Sequence, residues 1–408
     1  SGQELGAHPA TGSVWPHWVG DRVAVIDDGE STLLMVDARR DSGPVGIDLC
    51  AGTEVRIGET IAARNLEVAD GQVLTNFECG RRFYEGTPSV LLDASTGDIE
   101  LSVDGNAGRE QAVSPDEQRF ARQEYEPREQ VAIRDLETGA IVREMEPFCE
   151  DGAEPDPEMG CPRGHIFMDW MDWSNDGRFL AGGGHHDGIV VWDTSSGEIV
   201  RFIRPQEEGF EPWDSGFSPD GKRLLMSRAM WPDDSWVDVY STETWELERS
   251  VQIDPETADK TLGLVGWSTD GSTLYGRGGA ESGSGSETLV WLDAETLEKQ
   301  GPVVRLHDDA VMDDALSPEG TRLATASASG EVRVWDLQER SLVHEFQLDD
   351  IFAGQLLAGV DWTDDANIVV VTETGMLAKF TTDADELAGR VRASLTRSFT
   401  KGECARYE

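Results

Sequence analysis

The stretch MDWSNDGRFLAGGGHHDGIVVWDTSSGEIVRFI, from Met171 to Ile203, decides the fold. A tight turn, SNDG, leads into an apolar strand, and a second apolar strand ends on Asp193. The same order of parts returns in ALSPEGTRLATASASGEVRVWDLQERSLVHEF, from Ala315 to Phe346. Working outward, strand-ending positions fall at Asp37, Asp93, Asp135, Asp193, Ser241, Asp293, Asp336 and Thr382, separated by 42 to 58 residues. A repeat of roughly 40–50 residues with about four short strands per unit is the pattern of a β-propeller. One such unit cannot cover both of its own faces, so the ring forms as a whole. The sequence therefore predicts an all-β chain, an eight-bladed β-propeller of four-stranded antiparallel blades with a short helical C-terminal tail. The alternative count is seven blades plus an irregular repeat.

The turns have a physical cause. SNDG (Ser174 to Gly177), SPDG (Ser218 to Gly221), STDG (Ser268 to Gly271) and SPEG (Ser317 to Gly320) each put a short polar residue ahead of a glycine. The acid bonds nearby backbone N–H groups, and glycine accepts the positive φ that closes the turn. Trp-Asp pairs stand at Trp192-Asp193 and Trp335-Asp336, and a Gly-His pair at Gly164-His165. Taken together these motifs resemble the WD-repeat family over roughly residues 15–382. The resemblance implies a hydrogen-bond network inside a blade, built from a His, a Ser or Thr, an Asp and the Trp. One repeat keeps His165, Asp187 and Trp192, with glycines at the hydroxyl position. Another has His307, Ser327 and Trp335, with Ser329 where the Asp is expected. These residues are read as structural.

Charge narrows the partners. There are 79 acids against 34 bases, a formal net charge of −45, and only five of the bases are Lys. Such a surface repels nucleic-acid phosphates and anionic lipid. Neither nucleic-acid binding nor direct membrane insertion is expected, and an isolated domain of this charge is expected to be monomeric. No signal peptide or membrane-spanning stretch is visible. Cys149 and Cys161 bracket an acidic excursion, EDGAEPDPEMG, and are read first as a disulfide, with free thiols or a metal site as the alternatives. The absence of any CxxC argues against zinc. Cys50 and Cys79 lie in consecutive repeats, and Cys404 is left over. A disulfide would place the chain in an oxidising compartment.

In the tail, Thr382-x-x-Asp385 and Thr400-x-x-Glu403 read as capping boxes, with Leu387, Val391 and Leu395 at helical spacing between them. Leu387, Ala388, Arg390, Leu395, Thr396, Arg397, Thr400, Glu403, Cys404 and Tyr407 resemble the end of large bacterial, especially actinobacterial, proteins. In those a WD-repeat ring follows a STAND-type NTPase or activator-like domain. That resemblance implies a module of a larger signalling protein, on the extracytoplasmic face of a membrane where a membrane helix precedes the ring, with a cytoplasmic ring as the alternative.

Enzyme chemistry is not written in the motifs. GxSxG, HExxH, a P-loop and a helix-opening GxGxxG are all missing. The run GGAESGSGSE (Gly278 to Glu287) lies between strands, with no helix N-terminus to hold phosphate. His185-His186-Asp187 is the densest candidate metal cluster, but adjacent strand residues point to opposite faces. The acid pairs Asp233-Asp234, Asp308-Asp309 and Asp313-Asp314 lack the spaced calcium-loop pattern. No cofactor is expected.

What remains is a binding face. In a propeller, the loops between blades and those joining second to third strands share one end. Here they include CGRRFYEGT (Cys79 to Thr87), QEYEPRE (Gln123 to Glu129), EEGFEPW (Glu207 to Trp213) and RAMWPDDSW (Arg228 to Trp236). The candidate partner-binding residues are Arg81, Arg82, Tyr84, Tyr125, Arg128, His185, His186, Trp213, Trp231 and Trp236, since exposed Trp, Tyr and Arg dominate interface energy. The expected role is a non-catalytic recognition module for a protein or peptide partner, a scaffold or sensor. The rival is an extracytoplasmic propeller binding a small ligand or metal, or an enzyme using the central channel. Residues 1–14 are expected to close the ring, with Gln3 to Ser13 as the outer strand of the last blade. Residues 15–382 form the propeller and 383–408 the helical tail.

Overall fold

The computed structural model describes residues 17–19, 22–27, 32–37, 47–48, 63–69, 72–77, 89–93, 99–103, 107–124, 130–148, 168, 170–184, 188–204, 211–230, 234–253, 262–278, 287–348, 356–372 and 376–383. Among these residues every regular element is a strand, and the strands make eight antiparallel sheets. Strands β1 (His17–Val19), β2 (Arg22–Asp27) and β3 (Thr32–Asp37) form a three-stranded sheet, and β4 (Ile47–Asp48) follows. Blade 1 is β5 (Ala63–Ala69), β6 (Gln72–Phe77), β7 (Ser89–Asp93) and β8 (Ile99–Val103). Blade 2 is β9 (Ala107–Val113), β10 (Arg119–Glu124), β11 (Gln130–Asp135) and β12 (Ile141–Glu144). Blade 3 is β13 (Trp170–Trp173), β14 (Phe179–Gly184), β15 (Gly188–Asp193) and β16 (Ile199–Ile203). Blade 4 is β17 (Glu211–Phe217), β18 (Arg223–Met230), β19 (Asp234–Ser241) and β20 (Leu247–Ile253). Blade 5 is β21 (Leu262–Trp267), β22 (Thr273–Gly278), β23 (Thr288–Asp293) and β24 (Val304–Arg305). Blade 6 is β25 (Val311–Leu316), β26 (Arg322–Ser327), β27 (Glu331–Asp336) and β28 (Ser341–Gln347). Blade 7 is β29 (Leu357–Asp364), β30 (Asn367–Thr372) and β31 (Met376–Thr381), completed by β4.

The first strand of each blade packs on the first strand of the next, from β5 round to β29, and β29 packs back on β5. The ring is therefore closed with seven blades. The count of eight is corrected to the alternative, seven blades plus an irregular repeat. The repeat ending at Asp37 has three strands of the right pattern, which is why the spacing counts it. Its fourth strand is committed elsewhere: β4 pairs with β31, Ile47 opposite Leu377 and Asp48 opposite Met376. The outer strand of the last blade is thus Ile47–Asp48 in place of Gln3 to Ser13. Residues 1–14 lie outside the described residues, as does the tail beyond Asp383.

Local chemistry explains the hairpins. In blade 3 the Ser174 hydroxyl donates to Asp176 Oδ1 at 2.7 Å and accepts from the Phe179 N–H at 2.8 Å. Ser218 and Asp220, and Ser268 and Asp270, repeat the first bond at 2.7 Å. The residue after the acid sits at positive φ, which is glycine at Gly177, Gly221 and Gly271, but blade 2 places Glu117 there at 53°. The backbone N–H of Ser272, with the hydroxyls of Ser268 and Ser272, holds Asp270 down to about 2. Strand-ending aspartates cap the next turn: Asp193 Oδ1 accepts from the N–H groups of Ser195 and Ser196 at 3.0 and 3.1 Å.

The core lies between blades. Val190 and Trp192 of β15 pack with Ala121, Val131 and Ile133 of blade 2, whereas Ile189 and Val191 pack with Leu224 and Met226 of blade 4. Alternate residues of a strand face opposite sides. A middle strand covered on both sides must therefore read as a continuous apolar run, as GIVVWD does.

Candidate binding face and channel

In each blade the first and third strands run the same way and the second returns, so all seven blades present their first-strand starts at one end of the ring. Six of the seven first strands carry a register shift against the second strand; blade 3 pairs without one. Bulges bend a strand and re-aim side chains. In blade 4 the shift falls between Pro212 and Asp214, so the inserted residue is Trp213; in blade 6 it is Met312.

Of the ten candidate residues, Trp213 and Trp236 fall within the described residues. Both are half-buried. The register places Pro212 opposite Arg228 and Arg228 opposite Trp236, so both tryptophans sit at the same end of blade 4. The Arg228 guanidinium lies 5.0 Å over the Trp236 ring. Its Nε donates to Asp238 Oδ2 at 2.7 Å and its Nη2 to Ser250 Oγ at 3.2 Å. Trp236 thus stands on a buried ion pair of its own blade, which fixes its ring. Arg81, Arg82, Tyr84, Tyr125, Arg128, His185, His186 and Trp231 lie outside the described residues, as do Cys149 and Cys161, and His165 and Asp187.

The channel holds what motif reading missed. First strands contribute Asp172, Asp214, Asp313, Asp314 and Asp361. All five are half-buried. Burial pushes Asp172 up to about 6, against the N–H groups of Phe217 and Trp173 that favour its charge. Burial likewise pushes Asp214 and Asp313 up to about 7. Neighbouring charge adds to this: Asp314 and Asp172 act on Asp214, and Asp314 and Asp361 on Asp313. Arg277 of β22 works the other way, with Nη1 donating to Asp314 Oδ1 at 2.5 Å and Nε 3.7 Å from Glu287 Oε2. Two of these acids also join blades. Asp172 Oδ2 accepts the Phe217 N–H of blade 4 at 2.9 Å, and Asp313 Oδ2 accepts the Val360 N–H of blade 7 at 2.9 Å. No single offset marks them in the sequence: Asp172 and Asp361 precede the turn hydroxyl by two residues, Asp214 and Asp313 by four.

The intrablade network is also revised. In blade 6, His307 contacts Thr325 Oγ1 through Nε2 at 2.8 Å and Glu331 Oε2 through Nδ1 at 2.9 Å, and Trp335 Nε1 donates to Thr325 Oγ1 at 3.1 Å. The hydroxyl and the carboxylate are therefore Thr325 and Glu331, in place of Ser327 and Ser329, which contact each other at 3.0 Å. Thr325 and Ser327 share one side of the strand, two residues apart, and Thr325 is the one that meets both His307 and Trp335. Trp192 donates to the Glu146 carbonyl at 2.9 Å, in place of a bond toward His165. In blade 2 the same places carry charge. Arg122 stands where blade 6 has Thr325, and Arg134 where it has Trp335. Arg122 donates to both carboxylate oxygens of Glu124 at 2.8 and 2.7 Å, to Ser89 Oγ and to the Val103 carbonyl of blade 1. Arg134 Nε meets Glu124 Oε1 at 2.6 Å.

Among the described residues no group of three or more His, Cys, Asp or Glu could hold a metal ion, and no helix is long and apolar enough to cross a membrane. The family described as WD domain, G-beta repeat matches residues 302–336, which span the outer strand of blade 5 and most of blade 6. The chain is 26% identical over 228 residues to protein HIR1 of Mycosarcoma maydis, covering 52% of this chain and 21% of that protein. It is 25% identical over 173 residues to the WD repeat-containing protein SL1-17 of Schistosoma mansoni, covering 42% of this chain and 52% of that one. The APC/C activator protein CDC20 of Saccharomyces cerevisiae is 21% identical over 201 residues, 47% of this chain and 32% of that protein. The chain thus matches between about a fifth and a half of the length of these relatives.

Proposed function

We propose that this WD-repeat ring is a non-catalytic scaffold that binds a protein or peptide partner at the end of the ring bearing Trp213 and Trp236. The observation that carries this reading is the blade 4 arrangement. A bulge inserts Trp213 at the start of the first strand, and Arg228 fixes the Trp236 ring at the same end. Fixed aromatics lose little conformational freedom on binding, and Trp is among the residues that dominate interface energy. The remaining candidates in residues 79–87, 123–129, 185–186 and 231 join the proposed surface on the sequence repeat alone. A net charge of −45 disfavours nucleic acid. The yeast relative is by its name an activator of another complex, in keeping with a chain that acts through binding. The tail resemblance supports the finer role, a sensor module of a larger bacterial signalling protein.

The test uses the chain immobilised against an extract of its source cells. A partner retained by the native chain and by Val142→Asp, on the outer strand of blade 2, should be lost with the pair Trp213→Ala and Trp236→Ala. Retention by the double variant, with its melting unchanged, rejects the face.

A further inference from the structure

Blade 5 stands between two blades whose first strands carry acids: Asp214 on blade 4, and Asp313 and Asp314 on blade 6. The bulges make Asp214 and Asp313 equivalent. In each blade the acid directly follows the inserted residue, Trp213 or Met312. Blade 5 itself adds Glu287, just ahead of β23, and Arg277 on β22.

Four acids thus share one base, and that base is already engaged. Arg277 donates to Asp314 and stands 3.7 Å from Glu287. Among the described residues Asp214 and Asp313 form no ion pair. One oxygen of each accepts a backbone N–H, from Ser215 at 2.8 Å and from Val360 at 2.9 Å. A separate observation points to a missing donor: the Glu287 side chain is 9% exposed, and its Oε2 accepts no hydrogen bond. A carboxylate oxygen buried without a donor is costly, and a ligand that brings one removes the cost. Among the described residues no group of three or more His, Cys, Asp or Glu could hold a metal ion, which leaves an organic cation as the fitting donor.

We propose that Asp214, Asp313 and Glu287 receive the side chain of an arginine from a partner peptide, at the end of the ring that bears Trp213 and Met312. The inference rests on the reading of that end as the partner face, and it names the chemistry the partner brings. A guanidinium presents five donors in one plane, so it can meet carboxylates that arrive from different blades. Met312 is exposed beside Asp313, and the methylene stem of an arginine packs on such a surface.

N-acetylarginine amide is the probe, with N-acetylcitrulline amide as its neutral counterpart, each followed on the full chain by saturation-transfer NMR. The arginine probe should bind and the citrulline probe should not. The charged groups facing these acids are Asp172, Arg277, Asp314 and Asp361, with His307 beside Glu287. Asp214 and Asp313 lose their protons near pH 7, so affinity should rise between about pH 6 and about pH 8. The pair Asp214→Asn and Asp313→Asn should weaken binding by roughly tenfold, and Glu287→Gln should weaken it as well. Equal binding of the two probes, or unchanged affinity in these variants with cooperative melting intact, overturns the proposal. Spermidine or calcium chloride binding more tightly than the arginine probe would assign the site to a free cation and overturn it too. The pair Trp213→Ala and Trp236→Ala should bind the probe as the native chain does. The partner face therefore fails alone if that pair keeps the captured partner while the probe still binds. The arginine site fails alone if the native chain ignores the probe while that pair loses the partner.

Discussion

Single residues in this ring carry well-defined jobs. Trp192 is 1% exposed between blades 2 and 3, with its indole on the Glu146 carbonyl. Trp192→Ala is expected to cost about 3–5 kcal/mol of unfolding free energy in denaturant titration, as for other large aromatics. A loss below about 1 kcal/mol would mean that the residue is not enclosed as described. Glu117 occupies the turn position that blades 3 to 6 give to glycine, at φ 53°. Left-handed backbone costs a non-glycine residue about 1–2 kcal/mol, part of which glycine returns as entropy. Glu117→Gly should therefore raise stability by roughly 0.5–1 kcal/mol, and a destabilisation would contradict the strain. The burial of Trp192 was legible from the apolar run around it. Its partner was not, because the accepting carbonyl belongs to a connection 46 residues earlier, and no local pattern announces such a bond.

At the scale of strands, most of the architecture was legible and the closure was not. Turn motifs and alternating apolar runs place β13 to β16 and β25 to β28 where the repeats predict them. The repeat ending at Asp37 obeys the same local rules, so the sequence counts it as a blade. Only the long-range pairing of β4 with β31 shows otherwise. A two-residue strand carries almost no pattern of its own, which is why the terminal segment was the expected closure. Ile47→Pro removes a backbone donor at the residue opposite Leu377 and should lower the melting temperature by a few degrees. Removing residues 1–13 should leave it nearly unchanged. The opposite ranking would return the closing role to the terminus. The candidate site was legible only as loops rich in Trp and Arg. The fixing of Trp236 by Arg228 depends on the cross-strand register of β18 and β19, which residue types alone do not set.

Across the whole molecule, the ring brings acids together from the first strands of separate blades, and this gives stability a particular dependence on pH. Burial raises Asp172 to about 6 and Asp214 and Asp313 to about 7, above the ordinary carboxylate value they have when unfolded. Between those limits the folded ring holds more protons than the unfolded chain, so stability falls as pH rises. The loss is spread from about pH 4 to about pH 7 and levels off above it. The turn acids work in a lower window: Asp270, held near 2, contributes stability that is lost as pH falls below its unfolded value. The melting temperature should therefore be higher at pH 5 than at pH 8. The pair Asp214→Asn and Asp313→Asn should flatten that difference, and an unchanged slope in the pair would show that other groups set it. No motif encodes this feature, because the acids come from β13, β17, β25 and β29 and meet only when the ring closes.

Closure of the ring by β4 can be read out with engineered cysteines. The register sets Ile47 opposite Leu377 on blade 7. Disulfides form only between positions whose Cα atoms lie within about 7 Å. Under mild oxidation, Ile47→Cys with Leu377→Cys should give a new disulfide located by peptide mass spectrometry, while Ile47→Cys with Leu34→Cys should not. A bond from position 47 to position 34, with none to 377, would complete an eighth blade from β1 to β4 and contradict the seven-bladed ring.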